Sequence, residues 1–543
     1  MDLSRDSGVQ LTSQSEAPQK NYDQENTTKD CRTIVDILPV ELLGEIIDIV
    51  VSEHCGSMPT IENWGYHHRF YQWLKYTHIC QLWRLIALRM PRIWRHIALT
   101  TKDCVHTMMD RSKGAGLHIY LPFLDWDPRS EDDTDLIYQA LGTQQHRVER
   151  VDLYLRRPMY EMLWRRLKDT PLRHLEQIVI HFKHFVSDPE LGLPLRICDS
   201  PMKHIELYGW GAIQQHLLPL SVSNTYLKIC HADCFMPLQE LLDNLNRAPN
   251  LQTLFIVSAG FPISSTSPST CCLPQLRSLD LHANGDMAFC MLPSLQIPDT
   301  CDITFTDGGL GPILPMDMLA GVFADKYMHT PFTILSITCE HSENMYTAVK
   351  ARTASNRVLS IYLYTWRVLP LPSFLSFLPV TQVHTLTLKE TITAYSLPQT
   401  LETMWMCLQQ VPNVENLKLE TPRAIPLLTC PPDTDSPDTS PTLHDQTETH
   451  GQFIFPKLRH LDISLDVLDE SVGLALFNML VARREAGLTL KTLTLHGDAA
   501  CSGPQEPDVQ SENLSRETYT KIQHVLGECV LHLEGLGLVG NED

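Results

Sequence analysis

Cys230-His-Ala-Asp-Cys234 gathers three kinds of zinc ligand within five residues. Thiolate, imidazole and carboxylate all hold zinc, but a closed site takes four such groups, normally as two spaced pairs. No second Cys/His pair stands at finger distance, and no metal is expected. Cys271-Cys272 cannot easily share a useful geometry and reads as two small core residues. Among the 24 histidines, His174, His204, His384 and His460 sit beside strand-like positions. A partly buried neutral imidazole is the default there, with pH sensing as the alternative. Gly-x-Ser-x-Gly, the P-loop, Gly-x-Gly-x-x-Gly ahead of a helix and His-Glu-x-x-His are all missing from the sequence. The chain is therefore expected to be no enzyme and to need no cofactor. Tyr154, Tyr208, Trp210, Tyr362, Tyr364 and Trp366 fall in or just after strand-like segments. They suit protein-binding anchors and equally suit lateral packing between units. Ser436-Pro437 and Ser440-Pro441 suit proline-directed kinases or an unmodified solvated loop.

The elements that must carry these residues follow a short pattern after residue 100: apolar, two positions, apolar, one position, apolar. It appears as Val148-Val151-Leu153, Leu175-Ile178-Ile180, Met202-Ile205-Leu207, Leu251-Leu254-Ile256 and Leu276-Leu279-Leu281. It continues as Phe332-Leu335-Ile337, Val358-Ile361-Leu363, Val383-Leu386-Leu388, Val414-Leu417-Leu419, Leu458-Leu461-Ile463, Leu490-Leu493-Leu495 and Leu533-Leu536-Leu538. Leu227-Ile229 and Ile303-Phe305 are partial copies. The spacing is even: 27 residues separate Leu153, Ile180 and Leu207 in turn, and 26 and 25 separate Ile337, Leu363 and Leu388. Four copies carry a proline two residues ahead, as in Pro249-Asn-Leu and Pro412-Asn-Val. The last two apolar positions alternate with polar ones, as on a short strand with one buried face. One such unit cannot close its own core, so neighbours must stack. Segments between copies suit helices, most clearly Pro237–Asn246, with Leu238, Leu241, Leu242 and Leu245 on one face, and Leu401–Gln410.

The first hundred residues differ. Asp36-Ile-Leu-Pro-Val-Glu-Leu-Leu-Gly-Glu-Ile-Ile-Asp starts a helix at Pro39, where a missing N–H costs nothing, with Glu41 in the first turn. Leu42, Leu43, Ile46, Ile47 and Val50 make one apolar face, and Ile79, Leu82, Trp83 and Ile86 repeat the spacing. Helices this short bury little surface alone. Part of their apolar area must find a partner or the rest of the chain.

These residues resemble the F-box, whose pattern is Leu-Pro-x-Glu-Leu-Leu-x-x-Ile, then Val/Ile-Cys-x-x-Trp-Arg, then a closing Trp. Leu38, Pro39, Glu41, Leu42, Leu43 and Ile46 supply the first block; Ile79, Cys80, Trp83, Arg84 and Ala87 the second; Trp94 the last. The likeness covers about residues 34–98, and the extra stretch 52–70 between the blocks suits a loop. The repeats, over about residues 145–540, resemble the irregular leucine-rich-repeat array that often follows an F-box. Their period lies near the ~20–29 residues of such repeats, although the family's regular Asn after the strand is missing. An α/β array of another class is the alternative.

The expected fold is therefore α/β. A disordered tail 1–33 precedes an all-helical F-box-like module over 34–100. A leucine-rich-repeat-like α/β solenoid over 101–543 follows, with a Pro-, Asp- and Thr-rich disordered insert at 421–452. The resemblance implies a substrate-recognition adaptor of an SCF-type cullin–RING E3 ubiquitin ligase. Leu38, Pro39, Leu42, Leu43, Ile46, Ile79, Cys80 and Trp83 would form or support the face that binds the Skp-type linker and, through it, the cullin scaffold. The repeats would bind a substrate protein whose identity the sequence does not give. A scaffold without ligase association is the alternative. The net charge of −21 speaks against nucleic-acid and anionic-membrane partners. No apolar run approaches the ~20 residues of a membrane helix, and the first thirty residues lack an apolar signal core. The sixteen scattered cysteines suit reduced thiols in the cytosol or nucleus.

Overall fold

The computed structural model describes residues 38–56, 67–121, 131–156, 171–183, 200–209, 220–232, 237–258, 269–283, 285–307, 316–327, 329–340, 346–364, 371–391, 405–420, 425, 428, 453–465, 470–497, 516–526 and 530–534. The expected tail 1–33, nearly all of the insert 421–452, and Asp233, Cys234, Trp210 and Trp366 lie outside these residues.

The protein is mixed α/β, with one large and mostly parallel sheet of seventeen strands. Along the first half of the chain come β1 (His96–Ala98), β2 (Leu117–Leu121), β3 (Val148–Arg156), β4 (Gln177–Lys183), β5 (His204–Tyr208), β6 (Tyr226–Ala232) and β7 (Thr253–Ser258). Next are β8 (Cys271–Cys272), β9 (Ser278–Ala283), β10 (Leu295–Gln296), β11 (Asp302–Asp307), β12 (Phe332–Glu340), β13 (Tyr346–Thr353) and β14 (Val358–Tyr364). The series ends with β15 (Thr385–Thr391), β16 (Asn416–Leu419), β17 (His460–Leu465), β18 (Thr492–Gly497) and β19 (Val530–Glu534). β8 and β10 form a separate parallel pair. The registered pairs order the large sheet from β1 through β7, then β9, β11, β14, β13, β12, and β15 through β19.

The apolar pattern sets this register. Val151, Ile178, Ile205, Leu227, Leu254, Leu279, Ile303 and Leu359 stand opposite one another in turn across eight strands. All are buried. The partial copies at Leu227 and Ile303 are full members of this ladder. Successive side chains on a strand point to opposite faces, so a slip of one residue would expose the whole row. The preceding apolar position of each unit, such as Leu175, Met202, Leu251 or Leu276, is also buried. It anchors a second ladder at the strand entries, where Glu176 N donates to Glu149 O, Lys203 N to Glu176 O, Gln252 N to Thr225 O and Arg277 N to Gln252 O, each at 2.8 Å. The asparagine of the Pro-Asn entries has a structural use. Asn250 Nδ2 donates to Val222 O and Asn413 Nδ2 to Thr381 O, each at 2.7 Å. The helix Leu238–Leu245 buries the four leucines expected of it. The second expected helix is seen over residues 405–409.

Two expectations need correction. Phe332-Leu335-Ile337 and Val358-Ile361-Leu363 are not neighbouring units. β12 pairs with β15 and β14 with β11, and between them lies β13, antiparallel to both. The segment joining the two copies is thus a strand rather than a helix: a parallel neighbour needs a long crossover, whereas an antiparallel one needs only a short turn. At the C-terminus Leu533, expected as the entry anchor of its copy, stands in the ladder opposite Leu495, with Leu531 opposite Leu493; Leu536 and Leu538 lie outside the described residues. Leu533 satisfies both readings of the spacing, and pairing with β18 selects the earlier one.

Buried arginines close the joints between units. Arg357, 2% exposed, donates through Nε to Cys301 O at 2.7 Å and through Nη1 to Lys326 O at 3.2 Å, over the Tyr327 ring at 3.9 Å. Removing it takes the donor from the buried Cys301 carbonyl and from the half-buried Lys326 carbonyl and empties a packed site. Arg357→Ala is expected to cost about 2–4 kcal/mol, against less than about 0.5 kcal/mol for the exposed Arg352→Ala. Urea midpoints at unchanged slope measure the difference.

Candidate protein-docking site

The N-terminal helices are α1 (Val40–Gly56) and α2 (Gln81–Arg89), linked to a 3-10 helix at His67–His78 and followed by another at Pro91–Arg95; α3 (Lys102–Ser112) comes next. The carbonyl of Pro39 accepts the first helical hydrogen bond, from Leu43 N at 3.1 Å. The expected loop 52–70 is shorter at both ends, because α1 continues to Gly56 and the 3-10 helix begins at His67. Leu43, Ile47, Val51 and Cys55, four residues apart, keep one side of α1 buried to its end.

That inner side is fixed to the sheet. Trp94 is buried, donates through Nε1 to Ala87 O at 2.7 Å, and meets Trp73 edge to face at 5.4 Å. Tyr71 caps the edge strand β1: its hydroxyl donates to Ala98 O and accepts from Ala98 N, both at 2.9 Å. An open parallel edge would otherwise leave these groups unpaired. Arg92 ties the second 3-10 helix to α1 through Glu45 at 2.5 Å and Asp48 at 3.3 Å. The hydrogen bond to Glu45 raises the Arg92 pKa.

The outer side stays apolar and open. Val40, Leu42 and Ile49 of α1 are 51%, 50% and 55% exposed, Ile79 is 56% exposed and Leu85 of α2 is 52% exposed. A cavity of about 630 Å³ lies between α1 and α2, lined by Val40, Gly44, Leu82, Leu85, Met90 and Pro91 among others. Of the eight residues expected to form or support this face, Pro39, Leu42, Ile46 and Ile79 are exposed, and Leu38, Cys80 and Trp83 are half-buried. Leu43 belongs to the core. None of the eight lines the cavity. Nor do Ile79, Leu82, Trp83 and Ile86 share one face: Ile86 and Ala87 point inward while Ile79 and Leu82 are exposed. Sequence reasoning missed Val40 and Leu85, although Leu85 follows Leu82 by the helical step of three.

The junction between these helices and the sheet carries polar rings: His96 and Tyr120 are buried and His118 is half-buried. His96 and His118 meet edge to face at 4.8 Å, and His96 Nδ1 lies 3.3 Å from the Tyr120 hydroxyl. Phe70 covers Tyr120 at 5.0 Å. Burial, followed by neighbouring positive charge, pushes His96 down to about 2 and His118 down to about 3.

On the sheet face opposite the apolar ladder, aromatic rings stack from strand to strand. Tyr154 lies 6.1 Å from His181, His181 lies 4.4 Å from Tyr208, and His204 lies 4.0 Å from Tyr226. Lateral packing between units is what these rings do here. Beneath them, burial raises the Asp152 carboxyl to about 7 and lowers His181 to about 4. His204 and His460 are half-buried, whereas His174 and His384 are exposed. Cys230 and Cys271 are buried with thiols pushed up to about 11 and about 12, and Cys272 is exposed. No cluster of three metal-ligating side chains occurs among the described residues, and no described helix is long and apolar enough to cross a membrane. No protein-family model matches the chain, and no curated protein matches it.

The buried imidazoles give this junction a pH dependence. As pH falls below 6.5, the unfolded chain takes up protons at His96, His118 and His181 that the folded chain refuses until about 4 or lower, so stability declines. Asp152 opposes this with one proton, because its folded pKa is raised from 3.8 to about 7 and it favours the folded state as pH falls between those values. The balance, three protons against one, is acid destabilisation. His118→Gln is expected to recover about 1–2 kcal/mol of the decline between pH 7 and pH 5. Unfolding midpoints recorded across that range test this, and parallel curves for the two proteins would count against a neutral buried His118.

Proposed function

We propose that the protein is a substrate-recognition adaptor of an SCF-type cullin–RING ubiquitin ligase, acting in the cytosol or nucleus. The N-terminal helices form an F-box-like module that docks on the Skp-type linker. The sheet, read as a leucine-rich-repeat-like solenoid, holds a substrate protein. The chain performs no chemistry; it raises the effective concentration of a substrate lysine beside a charged conjugating enzyme. The observation that carries this reading is the exposed apolar stripe of Leu42, Ile46 and Ile49 on α1, together with the exposed Ile79, Leu82 and Leu85, on a module whose other side is spent on the sheet. Each such side chain is already about half buried, so a partner that covers the rest gains about 0.5–1.5 kcal/mol from it.

The second reading, a scaffold without ligase association, draws on the fixed junction at Tyr71 and Trp94, since a head anchored in this way serves the sheet even without a partner.

Leu42→Asp, Ile79→Asp and Leu85→Asp change exposed positions and are expected to leave the unfolding midpoint unchanged. Each should weaken co-purification with the Skp-type linker by about tenfold or more, and the triple variant should abolish it. Undiminished capture of the linker by the triple variant, or no capture by the unaltered chain, would sink the adaptor reading.

A further inference from the structure

β17, β18 and β19 form the C-terminal end of the large sheet, and β19 pairs with β18 alone among the described strands. Leu461, Leu493 and Leu531 continue the apolar row, followed by Ile463, Leu495 and Leu533. The residues that alternate with them therefore belong to the opposite face. There the register sets Asp462, Thr494 and His532 in one row, and Ser464, His496 and Glu534 in the next. Two histidines and two acidic residues thus share three strands and two rows. With strands about 4.8 Å apart and a rise of about 3.3 Å per residue, their backbone positions span about 10 by 7 Å.

One pair in this patch is already in contact. His496 Nε2 lies 3.0 Å from Asp462 Oδ1. That oxygen is buried and accepts no hydrogen bond, whereas Glu206 is properly aligned with His204 at 2.5 Å. A nitrogen and an oxygen this close repel when no proton lies between them, and a cation held by both removes the repulsion. Zinc sits about 2.0–2.2 Å from such donors, which places two of its ligand atoms about 3 Å apart or slightly more. Lys418, beside Asp462 in the row, gives its charge to Glu420 at 3.0 Å. Asp280 and His282 repeat the close pair at 3.1 Å, again without a hydrogen bond to Asp280 Oδ1. Their row neighbours are Phe255 and Thr304, and Val257 and Thr306, so no further imidazole or carboxylate joins them. Asp462 and His496 are likewise two ligands by themselves; the register of β19 supplies two more.

We infer that Asp462, His496, His532 and Glu534 form a site for one zinc ion at the C-terminal end of the sheet. Two imidazoles and two carboxylates supply the four donors of a closed tetrahedral site. Magnesium and calcium take oxygen donors, so a half-imidazole set selects a transition metal. The ion ties β19 to β18 and β17 across their polar face. That is where a stacked array needs a tie, because its last unit has a neighbour on one side and is not held from the other. Ligands that come from three strands meet only in the folded chain, so the binding free energy adds to its stability. The inference concerns the end of the sheet and holds with or without ligase association.

The full chain is stripped with EDTA, dialysed and titrated with zinc, and bound metal is read by atomic absorption. The unaltered chain is expected to hold one zinc more than the double variant His496→Gln, His532→Gln. Zinc should raise the unfolding midpoint of the unaltered chain and leave that of the variant where it was. Asp462→Asn and Glu534→Gln should each weaken the site by about tenfold or more. The pair Asp280→Asn, His282→Gln should keep it. Equal unfolding midpoints without metal show that the altered chains fold. The sixteen cysteines could also take zinc, and cobalt distinguishes them: at this site its spectrum lacks sulfur-to-metal charge transfer. No stoichiometric zinc, equal zinc in the chain and the double variant, a thiolate spectrum with cobalt, or the same loss in the Asp280, His282 control would each overturn the proposal.

Discussion

Register is the constraint on which the rest of the structure depends. Each strand of the large sheet offers two or three inward apolar side chains, and those of neighbouring strands stand opposite one another without a slip from Val151 to Leu359. A parallel pair offers no tight turn to fix its alignment, so the buried row itself must do so. The entry hydrogen bonds add a second lock. Each carbonyl just before a strand receives an N–H from the next unit, so the units pair at their entries as well as along their length. The opposite face is then free to carry polar and aromatic groups, since nothing on it decides the alignment. Rings there stack at the spacing that the register imposes.

The reversal around β13 shows what this constraint permits. β14 takes the place beside β11 that the chain order would give to β12, and β12 moves outward to meet β15. The inward rows remain continuous: Ile303 faces Leu359, Leu359 faces Ala351, Ala351 faces Leu335, and Leu335 faces Leu386. A short hairpin can therefore be added without breaking the core, provided its strands keep the period of two. What changes is the outer face, which gains a strand carrying Lys350 between Ser360 and Ser336, and Arg352 between Val358 and Ile334.

Most strand positions between Val151 and Leu495 were legible because the period of two and the even spacing survive in the sequence; β13, which carries no copy of the pattern, was not. Strand order was not. Phe332-Leu335-Ile337 and Val358-Ile361-Leu363 carry the same spacing as true neighbours, and spacing along the chain cannot distinguish a crossover from a hairpin. In the helical region the presence of the helices was legible, and the assignment of faces less so. α1 and α2 are apolar around much of their circumference, so an i, i+3, i+4 pattern can be drawn on more than one side. Leu43 and Leu42 are adjacent in sequence, yet one is core and the other half exposed. Only packing against Trp73, Trp94 and the first strands separates them. The buried arginines left no signal in the sequence, because an arginine that answers backbone carbonyls resembles any other arginine until the carbonyls are placed.

The same surplus of apolar residues bears on what the N-terminal helices are for. A helix with a single partner needs one apolar stripe; one that is apolar around most of its surface belongs in an interior. α1 lies between these cases, with Leu43, Ile47 and Val51 turned to the core and Leu42, Ile46 and Ile49 turned away from it. Stability of the chain alone does not require the outer stripe, since Tyr71, Trp73 and Trp94 already fix the helices to β1. Scattered exposed leucines need no explanation, whereas these three recur at the helical steps of four and three along one side of α1. The anchoring at β1 then has a mechanical consequence: a partner bound to the outer stripe is held at a fixed place relative to the sheet, and anything held on the sheet's polar face shares that frame. For the proposed adaptor that rigidity would set the span between its two ends, and effective concentration depends on that span.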